Sequence, residues 1–340
     1  MDKVKVAVIG VGHLGRFHAQ LYREVPDAEL IGIFDVDQKK KREFAAELGV
    51  TGFDTLEQLM DEADAVNIVT PTTTHAEIAR EALEKGKHVF VEKPISDSLQ
   101  DGEDLVRLAE EKNLVLQVGH IERFNAALRV LEDVPLQPLF IEAHRLASFN
   151  LRGTDVSVIY DLMIHDLDLI LSLVNSEPQD ILASGVNVIS KSIDIANARI
   201  VFRNGCVANL TASRISAKKM RKMRLFQKDA YISMDFNDGL SEIFYLSDEK
   251  ETPFHDGTLA VSLGQIQSGD RQRDIKYNRL QRKNVNPLKD ELIAFVDSVR
   301  NQLPPVVSGR DGLRALKLAH QVMERVVAHQ ELVKNQNSLA

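Results

Sequence analysis

Over the first 120 residues, short, nearly unbroken apolar runs alternate with segments of helical period. Val4–Ile9 (charged only at Lys5), Glu29–Phe34, Ala65–Val69, His88–Glu92 and Val115–Val118 predict strands. Between them, Arg16–Glu24, the stretch near Gln38–Leu48, Thr73–Lys85 and Leu99–Glu111 predict amphipathic helices. Strands without polar alternation are covered on both faces, and short connections through helices make them parallel. The expectation is an α/β, doubly wound parallel sheet.

The rhythm changes after about residue 122. Phe140–Ser148 predicts a strand and Asp161–Val174 a strong amphipathic helix. From Ile181 to Leu246 several strand-like runs are separated by turn signals such as Arg203-Asn204-Gly205 and Asn237-Asp238-Gly239. This predicts an α+β domain with an open-faced, mostly antiparallel sheet. Thr258–Asn286 is polar and weakly patterned, a long loop or irregular strands. Pro287–Val299 and Gly312–Ala328 predict closing helices. A chain of 340 residues exceeds what one core usually supports. The expected division is 1–121 for the parallel-sheet domain, 122–310 for the second domain, and 311–340 as a C-terminal helix returning to the first.

Composition narrows the function classes. The net charge of −8 argues against general nucleic-acid binding, which needs a basic surface. Lys218–Arg224 is locally basic, but its alternation with Met220 and Met223 reads as a strand with one solvated face; an anion-binding patch is the alternative. The single cysteine, Cys206, rules out an internal disulfide framework and fits a reducing compartment. No run approaches the ~20 apolar residues of a membrane span, and the first strand begins at once, without room for a signal peptide. The expected location is cytoplasmic.

Candidate chemistry gathers at strand ends. Gly10-Val11-Gly12-His13-Leu14-Gly15 follows the first strand and opens a helix: a turn glycine, a glycine admitting a pyrophosphate, and a glycine for close helix packing. Asp35 ends the second strand about 20 residues past the last glycine, where a ribose-binding carboxylate belongs. Ligands of such sheets bind beyond the carboxyl ends of the strands, which also selects Thr70-Pro71, Glu92-Lys93-Pro94 and Gly119-His120. A strand-end lysine such as Lys93 is either functional or merely solvated. In the second domain Asp161 and His165 are four apart on a predicted helix, with Asp166 and Asp168 following. A histidine with an ordinary pKa of ~6.5 suits proton transfer. The alternative is an acid-rich helix start with a satisfied histidine. No metal site is expected, since Asp166 and Asp168 face different ways and no second histidine lies at ligand spacing.

The glycine turn, Glu92-Lys93-Pro94 and Asp161-xxx-His165-Asp166-x-Asp168, taken in this order, resemble the Gfo/Idh/MocA oxidoreductase family over nearly the whole chain. Thr70-Pro71 with His75 and Pro287–Leu292 match too. The resemblance implies a Rossmann domain, NAD as cofactor, Lys93 beside nicotinamide and substrate, and Asp161 and His165 as catalytic partners. It also implies a second domain whose sheet forms homodimer or homotetramer contacts. The expected cofactor contacts are Gly10, Gly12, His13, Leu14, Gly15, Asp35, Thr70, Pro71, His75, Glu92 and Lys93. The stretches Val118–Asn125 and Thr154–Asp166 are similar to the branch that oxidises the 3-hydroxyl of UDP-N-acetylglucosamine to a ketone used by a pathway aminotransferase. Ala126 departs from it, since proline is expected there. Asp35 would repel the 2′-phosphate of NADP, although Lys39–Arg42 lie close in sequence. Arg123, Asn125 and Arg152 are the expected substrate contacts, with Arg145 and Arg214 as further candidates for a UDP diphosphate. Either Lys93 or His165 could be the base. A dehydrogenase of a free polyol or monosaccharide of the inositol or glucose type, and a non-catalytic NAD-binding sensor, remain open as alternatives.

Overall fold

The computed structural model describes residues 2–149, 156–247, 260–268 and 271–337. The chain divides into two compact units: residues 1–124 with 286–316, and residues 125–285 with 317–340.

In the first unit, β1 (Val4–Ile9) runs into α1 (His13–Tyr22), followed by β2 (Ala28–Phe34) and α2 (Gln38–Leu48). Then come a two-residue β3 (Thr51–Gly52) and α3 (Leu56–Glu62), neither apparent from the pattern. The rest alternates as expected: β4 (Ala65–Ile68), α4 (His75–Glu84), β5 (His88–Glu92), α5 (Leu99–Glu111) and β6 (Leu116–Gly119). All six strands are parallel, in the order β3-β2-β1-β4-β5-β6. The strand order reverses between β1 and β4, so a crevice opens beyond the carboxyl ends of those two strands. Asp37 caps α2 and Ser98 caps α5, each side chain accepting backbone N–H groups of the first turn.

The second unit contains a short α6 (Ala126–Arg129), β7 (Phe140–Leu146), a π-turn at Ile159–Met163 and α7 (Ile164–Val174). Eight more strands follow: β8 (Pro178–Val186), β9 (Ile195–Phe202), β10 (Val207–Ser213), β11 (Met220–Gln227), β12 (Ala230–Asp235), β13 (Leu240–Ser247), β14 (Val261–Ser268) and β15 (Arg271–Gln281). They form one nine-stranded sheet in the order β14-β15-β13-β12-β11-β7-β10-β9-β8, antiparallel except for β7 beside β10. One face buries Ile141, Met223, Leu225, Ile232 and Ile243. The other carries a ladder of directly opposed rings, Phe140, Phe226, Tyr231, Phe244 and Tyr277, with centroids 4.8–5.8 Å apart. β11 has the alternating burial expected of a strand with one solvated face.

Among the described residues of the weakly patterned region, the strand alternative holds, as β14 and β15 with a register irregularity between Ser262 and Gly264. Two boundaries differ from the expectations. The helix at 287 belongs to the first unit, so the expected second domain 122–310 ends earlier. The reason is visible in α8 (Pro287–Asn301), which buries Leu288, Leu292, Phe295 and Val296 on one stripe. Phe295 meets Phe90 of β5 edge-to-face at 5.7 Å and belongs to the same core as Val4, Val6 and Tyr22. The closing helix is longer than expected. α9 runs Gly309–Asn337, with Ser308 and Asp311 capping each other at its start. Residues through Leu316 group with the first unit and the remainder with the second, rather than the whole segment returning to the first.

Candidate active site

The glycine turn is built as its sequence implies. Gly10 has φ +88°, and a Cβ there would meet Val69 O at 2.7 Å. A Cβ on Gly15 would lie 1.9 Å from Gly10 O, so α1 packs against the turn only because residue 15 lacks a side chain. Gly12 faces open space. No side chain caps the first turn of α1 and no acidic residue lies in it, which leaves the positive end of the helix dipole to an anion. Gly10, Gly12, Asp35, Thr70 and Pro71 line a cavity of about 670 Å³ at the crevice. Leu56 and Ile78 line it as well. Neither was anticipated, although Ile78 lies one turn after Thr74 and its position past β4 signals it. The turn, the open helix end and the cavity fit a dinucleotide.

Asp35 accepts the N–H of Val11 on Oδ2 (2.9 Å) and that of Asp37 on Oδ1 (2.8 Å). It therefore braces the glycine turn while presenting a carboxylate at the cavity. The neighbouring cations are engaged elsewhere. Lys41 is buried, donating to Phe53 O and Asp54 Oδ1. Lys40 pairs with Asp37, and Arg16 with Glu47.

The remaining expected cofactor residues fall into two groups. His13 and Leu14 are exposed at the start of α1. His75 is buried at the start of α4, with Nδ1 2.9 Å from Pro94 O and Nε2 2.9 Å from Thr70 O. It ties together the segments that follow β4 and β5. Lys93 is half-buried at the end of β5, followed by a cis Lys93-Pro94 peptide. The Glu92 side chain turns inward: its Oε1 lies 3.1 Å from His18 Nε2, and Oε2 accepts the N–H of Lys93 at 3.2 Å.

In the second unit, Asp161 lies within the π-turn and His165 in the first turn of α7, both half-buried. One regular helix from Asp161 was expected. Instead, Ser157 O accepts both the Tyr160 and Asp161 N–H groups, and Ser157 Oγ accepts that of Ile159. A π-helical turn follows at Ile159–Met163, and such turns are frequent at functional sites. Asp166 is buried and paired bidentately with Arg145, at 3.0 and 2.8 Å. Arg145 thus anchors the helix that carries His165. Arg214 is held by Val156 O and lies 3.9 Å from Asp194. Asn125 caps α6 through Oδ1 and donates to Phe236 O. Arg123 is half-buried just past β6, and Arg152 lies outside the described residues. Cys206 is buried, which pushes its thiol up to about 11 and makes it a poor nucleophile.

Two family models match the chain. The NAD-binding Rossmann domain of the Gfo/Idh/MocA oxidoreductases covers residues 4–120, and the C-terminal domain of that family covers residues 138–233. A UDP-N-acetylglucosamine 3-dehydrogenase from Acidithiobacillus ferrooxidans is 38% identical over 96% of this chain and 99% of its own length. The chain belongs to the Gfo/Idh/MocA oxidoreductase family. A crystal structure of the Acidithiobacillus enzyme superposes with TM-score 0.82, covering 96% of this chain and 99% of the other at 36% identity. A myo-inositol 2-dehydrogenase from Thermotoga maritima is 26% identical over 93% of this chain and 94% of its own. The fold is shared with a scyllo-inositol dehydrogenase from Lactobacillus casei described with bound NAD(H) and scyllo-inositol (TM-score 0.75, 21% identity, 96% and 98% coverage). This Gfo/Idh/MocA protein is therefore an oxidoreductase whose first unit is the NAD-binding domain. No described helix is long and apolar enough to cross a membrane.

Proposed function

We propose that this enzyme oxidises the 3-hydroxyl of UDP-N-acetylglucosamine, or of a close UDP-sugar, to a ketone, with NAD⁺ as hydride acceptor. The observation that carries this reading is the near-full-length likeness to the Acidithiobacillus UDP-N-acetylglucosamine 3-dehydrogenase. NAD⁺, when bound across the glycine turn, supplies the nicotinamide carbon that receives the hydride from the sugar carbon. Asp35 holds the adenosine ribose. Lys93 and His165 are the residues assigned to the reacting hydroxyl. One takes its proton as the carbon–oxygen double bond forms, and the other steadies the developing negative charge on oxygen. Asp161 orients His165 or a neighbouring sugar hydroxyl. Arg123 is the cation offered to the diphosphate, matching two of its oxygens with one planar fork. A 3-ketone is the electrophile that transamination needs, so an aminotransferase is the expected consumer of the product.

The test is NADH formation with UDP-N-acetylglucosamine against free N-acetylglucosamine, glucose and myo-inositol, with the product identified by mass spectrometry. The UDP-sugar is expected to be preferred in kcat/KM, and oxidation of myo-inositol alone would transfer the assignment to the inositol branch. Lys93→Ala and His165→Ala are each expected to lose ~10²–10⁴ in kcat. Near-native turnover in both would remove the site from these residues.

A further inference from the structure

The cluster behind Lys93 is buried, polar and unused by the chemistry above. The Glu92 side chain is 12% exposed and faces His18, whose side chain is fully buried, at 3.1 Å. His18 Nδ1 is 3.1 Å from Asn67 Nδ2, and Asn67 Oδ1 accepts the Tyr22 hydroxyl at 2.9 Å. An amide nitrogen only donates, so His18 Nδ1 is the acceptor and its N–H is on Nε2, towards the carboxylate. Asn67 and Tyr22 are also fully buried. The chain of contacts thus sets one tautomer of His18, whose Nε2 lies 3.1 Å from the Glu92 carboxylate.

Space for this arrangement comes from the next strand. Gly119 of β6 is paired with Glu92 of β5 in register. A Cβ on Gly119 would meet Glu92 Cδ and Oε1 at 2.9 Å and Oε2 at 3.0 Å. The contacts are with the end of one side chain, so Gly119 is the vacancy into which the carboxylate folds. Strand-end glutamates ordinarily reach water; this one is led back into the sheet, where it accepts the N–H of Lys93.

We propose that Glu92 is a positioning residue for Lys93, held by His18 and by the missing side chain of Gly119. It aims the lysine through its backbone and keeps a negative charge behind the ammonium. The idea rests on Lys93 being the residue that meets substrate.

The titratable groups facing Glu92 are His18 from α1 and Lys93 from its own segment. Burial pushes the Glu92 carboxyl up, but the His18 contact and the charge of Lys93 more than offset this and leave it below its ordinary value. Beyond Asn67, burial and then Glu291 of α8 hold the Tyr22 phenol well above its usual range, so it stays neutral.

The experiment compares Glu92→Gln, Glu92→Ala, Gly119→Ala and Glu92→Ala/Gly119→Ala with the wild type and with Lys93→Ala. Binding of NADH, followed by its own fluorescence, checks that each variant folds. The first readout is the pH profile of Lys93 acylation by an amine-selective reagent, measured by peptide mass spectrometry. Loss of the carboxylate in Glu92→Gln, or its displacement in Gly119→Ala, weakens the charge behind the ammonium, so the profile moves to lower pH in both. The second is steady-state kinetics with UDP-N-acetylglucosamine. Misplacement of a reacting group by about 1 Å costs roughly 10² in rate, so kcat falls on that order in Glu92→Gln and Gly119→Ala while NADH affinity holds within about threefold. With Glu92 reduced to Ala, adding Gly119→Ala is expected to cause no further loss, because there is nothing left to displace.

An unmoved acylation profile in both Glu92→Gln and Gly119→Ala overturns the positioning role. So do wild-type kcat values in both when Lys93→Ala is inactive. Full turnover in Lys93→Ala instead removes Lys93 from the chemistry. The acylation profile alone then decides whether Glu92 positions that lysine.

Discussion

Cofactor choice is the sharpest consequence of the first unit. Asp35 presents a carboxylate at the cavity with each oxygen already accepting one backbone N–H, at 2.9 and 2.8 Å. A 2′-phosphate in place of the ribose hydroxyl would bring a second negative charge within about 4 Å. At an effective dielectric of ~20, two unit charges at that separation repel by about 4 kcal/mol, or roughly 10³ in affinity. The next residue, Val36, is 85% exposed and apolar, and Lys40 and Lys41 are held by Asp37 and by Phe53 O with Asp54. Partial screening by water lowers the expected preference for NADH over NADPH to about 10²–10³. Asp35→Ser should reduce it to within about tenfold. It also removes the brace on Val11, worth about 1.5–3 kcal/mol for a charge-assisted bond. That loss weakens both cofactors alike and cancels in the ratio. The chain has no tryptophan, so the dissociation constants are read from nicotinamide fluorescence. A wild type that binds NADPH as tightly as NADH, or an Asp35→Ser variant with an unchanged ratio, refutes the argument.

Three further outcomes test the scaffold. Phe295→Ala removes a fully buried ring from the core shared with Phe90 and should cost about 3–5 kcal/mol in urea denaturation; a loss under about 1 kcal/mol would detach α8 from that core. His88 Nδ1 accepts the Val115 N–H at 3.0 Å, and burial holds its pKa below the ordinary value against the pull of Asp64. The unfolded chain therefore takes up that proton first, and stability is complete above about pH 6.5 and declines as pH falls below it. His88→Gln should flatten this limb of a stability–pH curve, and an identical slope would exclude His88 as its source. Arg145 and Asp166 are both buried, 3% and 4% exposed. Arg145→Met alone should destabilise by about 3–5 kcal/mol, and Arg145→Met with Asp166→Leu by clearly less, since no charge is then left alone. Equal losses in thermal or urea unfolding would contradict that pairing.

Much of the first unit was legible because its strands are uniformly apolar and its helices amphipathic, so two periods separate cleanly. The two elements that escaped, β3 and α3, have two and seven residues and carry too little pattern. β14 and β15 stood only as one of two readings: Arg271–Gln281 is polar except at Ile275, Tyr277 and Leu280, and the strand state comes from β15 pairing with β13 and β14 with β15. The placement of α8 depended on which core its Leu292–Phe295 stripe enters, a contact nearly 300 residues from β1 that no local window contains. The same distinction runs through the candidate site. The glycine turn, Asp35, Thr70 and Pro71 were legible because a local backbone shape carries their chemistry. The inward turn of Glu92 was not, because it depends on His18, Asn67 and Gly119 arriving from three other elements.

That difference changes what a motif means in this fold. Glu92-Lys93-Pro94 reads as one unit, yet its glutamate folds into the sheet, its lysine stays at the rim, and its proline carbonyl is held by His75. In the other motif, Asp166 is tied to Arg145 in the interior, Asp168 is buried, and only Asp161 and His165 keep partial exposure. In both motifs, acidic residues beside the proposed reactive side chain are drawn into the protein rather than offered to a ligand. A buried carboxylate is tolerated only when paired, so each anchors to a basic partner on another element, His18 in one case and Arg145 in the other. The two motifs thus follow one plan: a partly exposed lysine or histidine adjoins in sequence a carboxylate locked to a buried cation or imidazole, which limits where the reactive group can point. Disturbing the locks should therefore impair catalysis by loss of aim, with the reactive groups themselves still present.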